Sequence, residues 1–218
     1  MLFSRVRVKM CGFTKEADVI DAVRLGADAV GFVFYEPSKR FVDIETAVKL
    51  RHAVPAFVSS VALFVNPEAA LVHDVIKQVK PDLLQFHGDE TAEFCDSFGH
   101  PYIKAFRVGG PDSSSADQVL DNCLPYGSAK GWLFDSFSPH YGGTGVRLEL
   151  SLLSGVQAYC SEHAMPLILA GGLNEQNVAQ ALEDIHPYAV DVSSGIESAP
   201  GLKKAEKMQA FLQSASSQ

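Results

Sequence analysis

Eight short β-prone runs, each ending at a glycine or a small polar residue and followed by a more helical stretch, predict an α/β chain folded as a closed (β/α)8 barrel. Two further observations favour closure over an open, doubly wound sheet. No composition break or long linker divides residues 1–218, so the chain reads as a single domain. The polar and small residues that terminate the runs also collect at one end of the expected strands, which a barrel built only for stability would not require.

The first run is Val6–Cys11. Side chains of a strand alternate between faces, so Val6, Val8 and Met10 suit packing against helices. Arg7, Lys9 and Cys11 then point into the barrel, with Cys11 uppermost. Thr14 is placed to cap the first helix and Gly26 to close it. Ala29–Phe34 leads to a short apolar stripe of Ile44, Ala47 and Val48 behind a capping Asp43. Ser59–Val65 leads through Asn66-Pro67, a helix-start pair, to Val72, Val75, Ile76 and Val79 at i, i+3, i+4, i+7. Leu83–His87 and Tyr102–Val108 follow. The fifth helix is the weakest, a turn or two around Ala116–Leu120. Gly131–Asp135 precedes a stripe of Leu152, Leu153, Val156, Tyr159 and Cys160. Pro166–Ala170 precedes Val178, Ala181, Leu182 and Ile185, with Asn174 set to accept from the opening amides. Ala189–Val192 is the last run, and Ala205, Met208, Phe211 and Leu212 mark the last helix.

Composition bounds the function. The 218 residues are 47% hydrophobic and 20% charged, enough to bury a large core without staples. The formal charge is −8, from 18 basic and 26 acidic residues, which argues against nucleic acid or an anionic membrane as partner. Cys11, Cys95, Cys123 and Cys160 are far apart and form no C-x-x-C pair, as expected of reduced thiols in a cytoplasmic protein. No signal peptide is expected from MLFSRVRVKMCG, and no stretch approaches the roughly 20 apolar residues of a membrane span. The seven histidines lack metal-ligand spacing, and no dinucleotide fingerprint follows the first run, so neither a metal nor a cofactor is expected.

In barrels of this kind chemistry sits at the C-terminal strand ends. Cys11 beside Gly12 is there either as a small buried core thiol or as a base or nucleophile. Asp135, after Gly-Trp-Leu-Phe, is either a loop cap or a carboxyl group in use, because burying one idle is costly. Together a thiol and a carboxyl group across one mouth would make an acid/base pair. Glycine-rich turns follow the later runs at Gly142-Gly143-Thr144-Gly145, Gly171-Gly172 and Ser193-Ser194-Gly195. Their backbone amides suit an anion, and the last two occupy the usual phosphate position of the fold. Arg40, in the loop after the second run, is a solvated cation or a fork for a carboxylate or phosphate.

These pieces occur as KMCG at 9–12, GADAVGFVFYEPSKR at 26–40, LFVN at 63–66, QFHGDE at 85–90, KAFRV at 104–108, FDS at 134–136, GGTG at 142–145, LILAGGLNEQNV at 167–178 and AVDVSSGIE at 189–197. In this order they resemble the phosphoribosylanthranilate isomerase family from about residue 7 to residue 212. The resemblance implies a cofactor-free Amadori rearrangement of a small phosphorylated substrate on the way to tryptophan, in a monomer or homodimer. It implies Asp135 as general acid and Cys11 as general base, with Arg40 on the anthranilate carboxylate. The phosphate would rest on amides of Gly143, Thr144, Gly145, Gly171, Gly172, Ser194 and Gly195. His87 and Asp191 would face the pocket, Asp191 orienting either Arg40 or a ribose hydroxyl. Alternation along the first strand adds the expectation that Lys9 lowers the Cys11 pKa.

One departure stands out. Where the family continues after GGTG with a Phe-Asp-Trp run, this chain has Leu148-Glu149-Leu150, which keeps hydrophobicity and loses aromatic area. Two other readings compete: a different phosphosugar enzyme, either another isomerase or a Schiff-base aldolase using Lys9 or Lys104, and a non-catalytic barrel that binds a phosphorylated metabolite.

Overall fold

Parallel pairing runs unbroken from each strand to the next and returns from the last to the first, in a computed structural model that describes residues 5–137 and 148–216. The strands are β1 (Arg7–Cys11), β2 (Ala29–Val33), β3 (Ser59–Phe64), β4 (Leu83–Phe86), β5 (Tyr102–Val108), β6 (Trp132–Ser136), β7 (Leu167–Leu169) and β8 (Ala189–Val192). Around them lie α1 (Glu16–Leu25), α2 (Ile44–His52), α3 (Ala69–Gln78), α4 (Ala92–Asp96), α5 (Ala116–Cys123), α6 (Ser154–His163), α7 (Val178–Ile185) and α8 (Ala205–Ser216). The closed (β/α)8 barrel is therefore the observed architecture.

Local signals account for most helix ends. Asp43 accepts from the Thr46 amide at 2.8 Å, and Gly26 closes α1 in the left-handed region at φ 104°. Ser115 accepts from the Gln118 amide, so α5 runs on to Cys123 and continues as a 3-10 turn over Leu124–Tyr126, longer than expected. Two expected caps differ. Thr14 does not cap α1, whose N-cap is Lys15; its hydroxyl instead donates to the Gly201 carbonyl at 2.8 Å. Asn174 accepts from the Gln176 amide within the turn before α7, and Asn177 takes the N-cap position. An antiparallel hairpin, β9 (Glu197–Ala199) and β10 (Leu202–Lys203), was not expected and lies between β8 and α8.

The barrel wall separates two cores. Outward-facing Met10, Phe32, Phe64, Phe86, Trp132, Phe134 and Leu169 are fully buried with helix residues such as Val19, Ala22, Val72, Val75, Val156 and Phe211. Each such side chain contributes about 1.5–3 kcal/mol by leaving water. Leu148 joins this core at 4% exposure, so the departure from the family pattern keeps its apolar anchor. Inside the barrel, Ile103, Ala105, Leu133, Ile168, Ala170 and Ala189 form one small cluster, and Cys11, Val33, Leu63 and Val65 another. Buried Lys9, Gln85 and Asp191 break the apolar interior. Polar groups are costly there unless paired, and they mark where the barrel is used.

Candidate active site

The β1–β8 seam sets the first pair. Register places Lys9 beside Asp191, and their charged groups meet at 2.9 Å with both side chains buried. Asp191 is thus committed to Lys9, and the expectation that it might orient Arg40 is not met; that task falls to Glu197. Cys11 is two residues further along β1 on the same inward face, opposite Gly31 of β2. A Cβ on Gly31 would lie 2.6 Å from Cys11 Sγ and 3.2 Å from Lys9 Nζ. Glycine at 31 is therefore what gives the thiol and the ammonium their space. Gly12, at φ 83°, plays a similar part for Arg40, because a side chain there would run into the Arg40 stem.

Burial pushes the Cys11 thiol pKa up, and Asp191 adds to this, while Lys9 and Lys203 pull the other way. The expected lowering by Lys9 is present in sign, but desolvation exceeds it and the net shift is upward. Lys9 itself is held above its ordinary range: burial alone would lower it, but Asp191 and Cys11 outweigh that cost. A cationic Lys9 is a poor Schiff-base nucleophile. Lys104, the other aldolase candidate, is buried and saturated, donating to Gly88 O at 2.7 Å, Glu90 Oε2 at 3.1 Å and Ala105 O at 3.3 Å.

Asp135 is the last but one residue of β6, with Oδ1 accepting from the Ser136 amide at 2.8 Å and Oδ2 3.3 Å from His87 Nε2. His87 Nδ1 in turn lies 2.9 Å from the amide nitrogen of Gln85, its inward-facing neighbour on β4. Gln85 is fully buried and its Oε1 has no hydrogen-bond partner among the described residues. Sequence reasoning gave Gln85 no role, and strand alternation from His87 would have found it.

A cavity of about 90 Å³ joins these groups. It is lined by Cys11, Val33, Tyr35, Ser38, Arg40, Leu63, Val65, His87, Asp135, Asp191 and Ser193. Five of the expected site residues, Cys11, Arg40, His87, Asp135 and Asp191, therefore share one pocket at the C-terminal ends of the strands. A larger cavity, about 300 Å³, lies beside β5 and holds Lys104 among its lining residues. We do not place the chemistry there, because Lys104 has no donor left to offer a ligand.

The turns expected to seat an anion touch one another. Gly171 and Gly172 have positive φ, and a Cβ on Gly171 would lie 2.8 Å from the Ser136 amide. Gly195 sits in a 3-10 turn (Ser194–Ile196) pressed against the Leu173 carbonyl, where a side chain would collide. The loops after β7 and β8 are thereby in contact. Gly143, Thr144 and Gly145 lie outside the described residues.

Arg40 is held as sequence reasoning did not foresee. Its Nε and Nη2 each donate to Glu197 at 2.7 Å, and Glu197 also accepts from Lys203 Nζ at 2.8 Å. The carboxylate of Glu197 would be raised by burial, but Arg40 and Lys203 bring its pKa below the ordinary value. Glu197 ends the AVDVSSGIE motif, so its presence was visible though its partner was not. Lys203 carries no local signal, since it arrives on the unexpected hairpin.

A family model described as N-(5'-phosphoribosyl)anthranilate (PRA) isomerase matches residues 8–214. The chain belongs to the phosphoribosylanthranilate isomerase family. A relative from Bordetella avium (strain 197N), named N-(5'-phosphoribosyl)anthranilate isomerase, is 54% identical over 208 residues, 95% of this chain and 94% of that one. The crystal structure of phosphoribosyl anthranilate isomerase from Thermotoga maritima is 37% identical with a TM-score of 0.85, covering 96% of this chain and 98% of that one. A further isomerase structure of this family, in complex with reduced 1-(o-carboxyphenylamino)-1-deoxyribulose 5-phosphate, is 36% identical with a TM-score of 0.81, covering 96% and 98%. Among the described residues, no helix is long and apolar enough to cross a membrane.

Proposed function

We propose that the chain isomerises N-(5-phosphoribosyl)anthranilate to 1-(2-carboxyphenylamino)-1-deoxyribulose 5-phosphate, a step of tryptophan biosynthesis. The observation that carries this reading is the shared pocket of Cys11 and Asp135, whose strands β1 and β6 stand far apart in the barrel order. Protonated Asp135 gives its proton to the furanose ring oxygen, the C1–O bond breaks, and a protonated imine forms. The Cys11 thiolate then removes the proton from C2, and the resulting enolamine tautomerises to the ketone. Nothing is oxidised or reduced by an outside partner, so the reaction balances without a cofactor.

Site electrostatics support this order. Burial favours the neutral thiol at Cys11, so the form that acts is the thiolate that has given its proton to solvent before the substrate binds, and Lys9 and the cationic imine formed beside it supply the positive charge that favours it. The backbone turns at Gly171-Gly172 and Ser194-Gly195, with Gly143, Thr144 and Gly145, are the seat for the 5-phosphate, and Arg40 receives the ring carboxylate. His87 stands against Asp135 and holds its orientation. The working unit is a monomer or a homodimer, and the place of work is the cytoplasm.

Two substitutions test the roles. Cys11→Ala and Asp135→Asn are each expected to lower kcat by about 10²–10⁴-fold, the ordinary worth of one general acid or base. The assay follows anthranilate fluorescence on freshly made phosphoribosylanthranilate, with circular dichroism to confirm folding. Near wild-type turnover in a folded variant removes that residue from the mechanism.

A further inference from the structure

The geometry points to Lys203 as a specificity-determining residue that never touches the ligand: it gives the Arg40 cluster the surplus positive charge that selects a carboxylated ring. This rests on the reading that Arg40 receives the ring carboxylate.

A guanidinium has a side edge, Nε with one Nη, and an end edge formed by both Nη atoms. Glu197 takes the side edge of Arg40, with two bonds of 2.7 Å. The end edge is left, and it can still meet a carboxylate bidentately. Arg40 lines the pocket, so the same cation can hold two carboxylates at once, one belonging to the protein and one to the ligand.

Charge decides whether it does so. Arg40 and Glu197 alone are a neutral, mutually satisfied pair, and a second carboxylate brought to them would be buried without its own counter-charge. Lys203 changes this. Its side chain is fully buried, and its ammonium donates to Glu197 Oε1 at 2.8 Å, to the Cys11 carbonyl at 2.5 Å and to the Ser193 carbonyl at 3.2 Å. Among the described residues, Glu197 is the one carboxylate paired with the side chain of either cation. Two cations thus share one anion. The neighbouring Lys9–Asp191 pair balances itself and adds nothing to the count. A ligand carboxylate on the end edge completes the cluster as two of each sign.

The placement also explains the hairpin. β9 and β10 bring Glu197 and Lys203 together, and Lys203 ties the carbonyl of Cys11 to the end of β8. One buried ammonium therefore braces the backbone of the base and sets the charge behind the carboxylate fork.

The test uses two probes on the full chain, by titration calorimetry. One is reduced 1-(2-carboxyphenylamino)-1-deoxyribulose 5-phosphate, and the other is its phenylamino counterpart lacking the carboxylate. Lys203→Gln keeps a donor and drops the charge. It is expected to weaken the carboxylated probe by about tenfold or more, the effect of losing one opposite charge at close range, and the counterpart by about twofold or less. Equal losses for both probes, or none for either, overturn the proposal. The double variant Glu197→Gln with Lys203→Gln removes one charge of each sign and leaves Arg40 in surplus. It is expected to keep the wild-type preference, and losing that preference also overturns the proposal. This variant leaves no lone Glu197 carboxylate, so it serves where the single variant does not fold. Arg40→Met separates the parent reading: if it leaves the preference intact, the carboxylate is not on Arg40. If it abolishes the preference while Lys203→Gln does not, only the role of Lys203 falls.

Discussion

Among the described residues, the barrel holds two buried lysine–glutamate contacts that look alike and behave differently. In the wall, Lys104 and Glu90 meet at 3.1 Å with side chains almost without exposure. Lys104 gives its remaining donors to the Gly88 and Ala105 carbonyls, and Glu90 accepts from the Asn66 and Gly88 amides. One charge of each sign is present and both are hydrogen-bonded, so this pair closes upon itself. At the β1–β8 seam, Lys203 and Glu197 meet at 2.8 Å, but Arg40 joins them and faces a cavity. A closed ion pair fixes architecture. A cluster with one unmatched charge and an open edge is a place to bind.

The largest effect expected from this contrast is on stability in the wall. Lys104→Met leaves Glu90 buried without its counter-ion, which costs about 3–5 kcal/mol. For a chain of this size that is a drop in Tm of roughly 10 °C. Glu90→Gln combined with Lys104→Met is expected to recover part of the loss. Scanning calorimetry checks both, and a loss in the single variant no larger than that of a surface change would show that the wall pair is not closed as described.

A second prediction acts on the other side of the comparison, where packing limits chemistry. Gly31→Ala places a Cβ 2.6 Å from Cys11 Sγ and 3.2 Å from Lys9 Nζ. The thiol must move, and a displacement of about 1 Å is enough for a loss of roughly 100-fold. We expect kcat to fall by about 10–100-fold with a smaller Tm change than in Lys104→Met. A variant that loses stability but keeps kcat would show that the space beside Cys11 serves folding alone.

How much of this was legible in the sequence depends on range. Each expected strand lies within one residue of its observed limits, because period-two alternation and turn residues act locally. The facing of Lys9 and Cys11 followed from the same alternation, and Asp43 and Gly26 capped as expected. Thr14 and Asn174 had the right chemistry for caps, but a carbonyl at Gly201 and the Asn174–Asn177 turn offered them other partners. Apart from Gln85, whose contact with His87 is local, the site residues missed are those whose meaning is a contact made far along the chain. Glu197 finds Arg40 at a separation of 157 residues, and Lys203 finds Cys11 at 192. No local pattern encodes such a meeting. The net direction at Cys11 was hidden for a related reason: alternation reveals a neighbouring lysine, but only the assembled barrel reveals how deeply the thiol is buried.

The smallest effect we expect separates the seam by pH. Arg40 and Lys203 hold the Glu197 pKa below its ordinary 4.5, against the cost of burial. Below 4.5 the unfolded chain begins to take up a proton at this residue while the folded chain resists, so the stabilisation is complete above 4.5 and is lost as pH falls through the folded value. Lys203 has the opposite history: burial lowers its pKa from 10.5, so its charged form is held at a cost and stability rises with pH between the folded value and 10.5. Glu197→Gln is therefore expected to be less stable than the parent at pH 7 and to lose less on acidification from pH 5 to 3. Denaturant melts across that range read the difference directly. Parallel acid limbs in the two proteins would mean that the seam carboxylate does not carry the charge balance assigned to it.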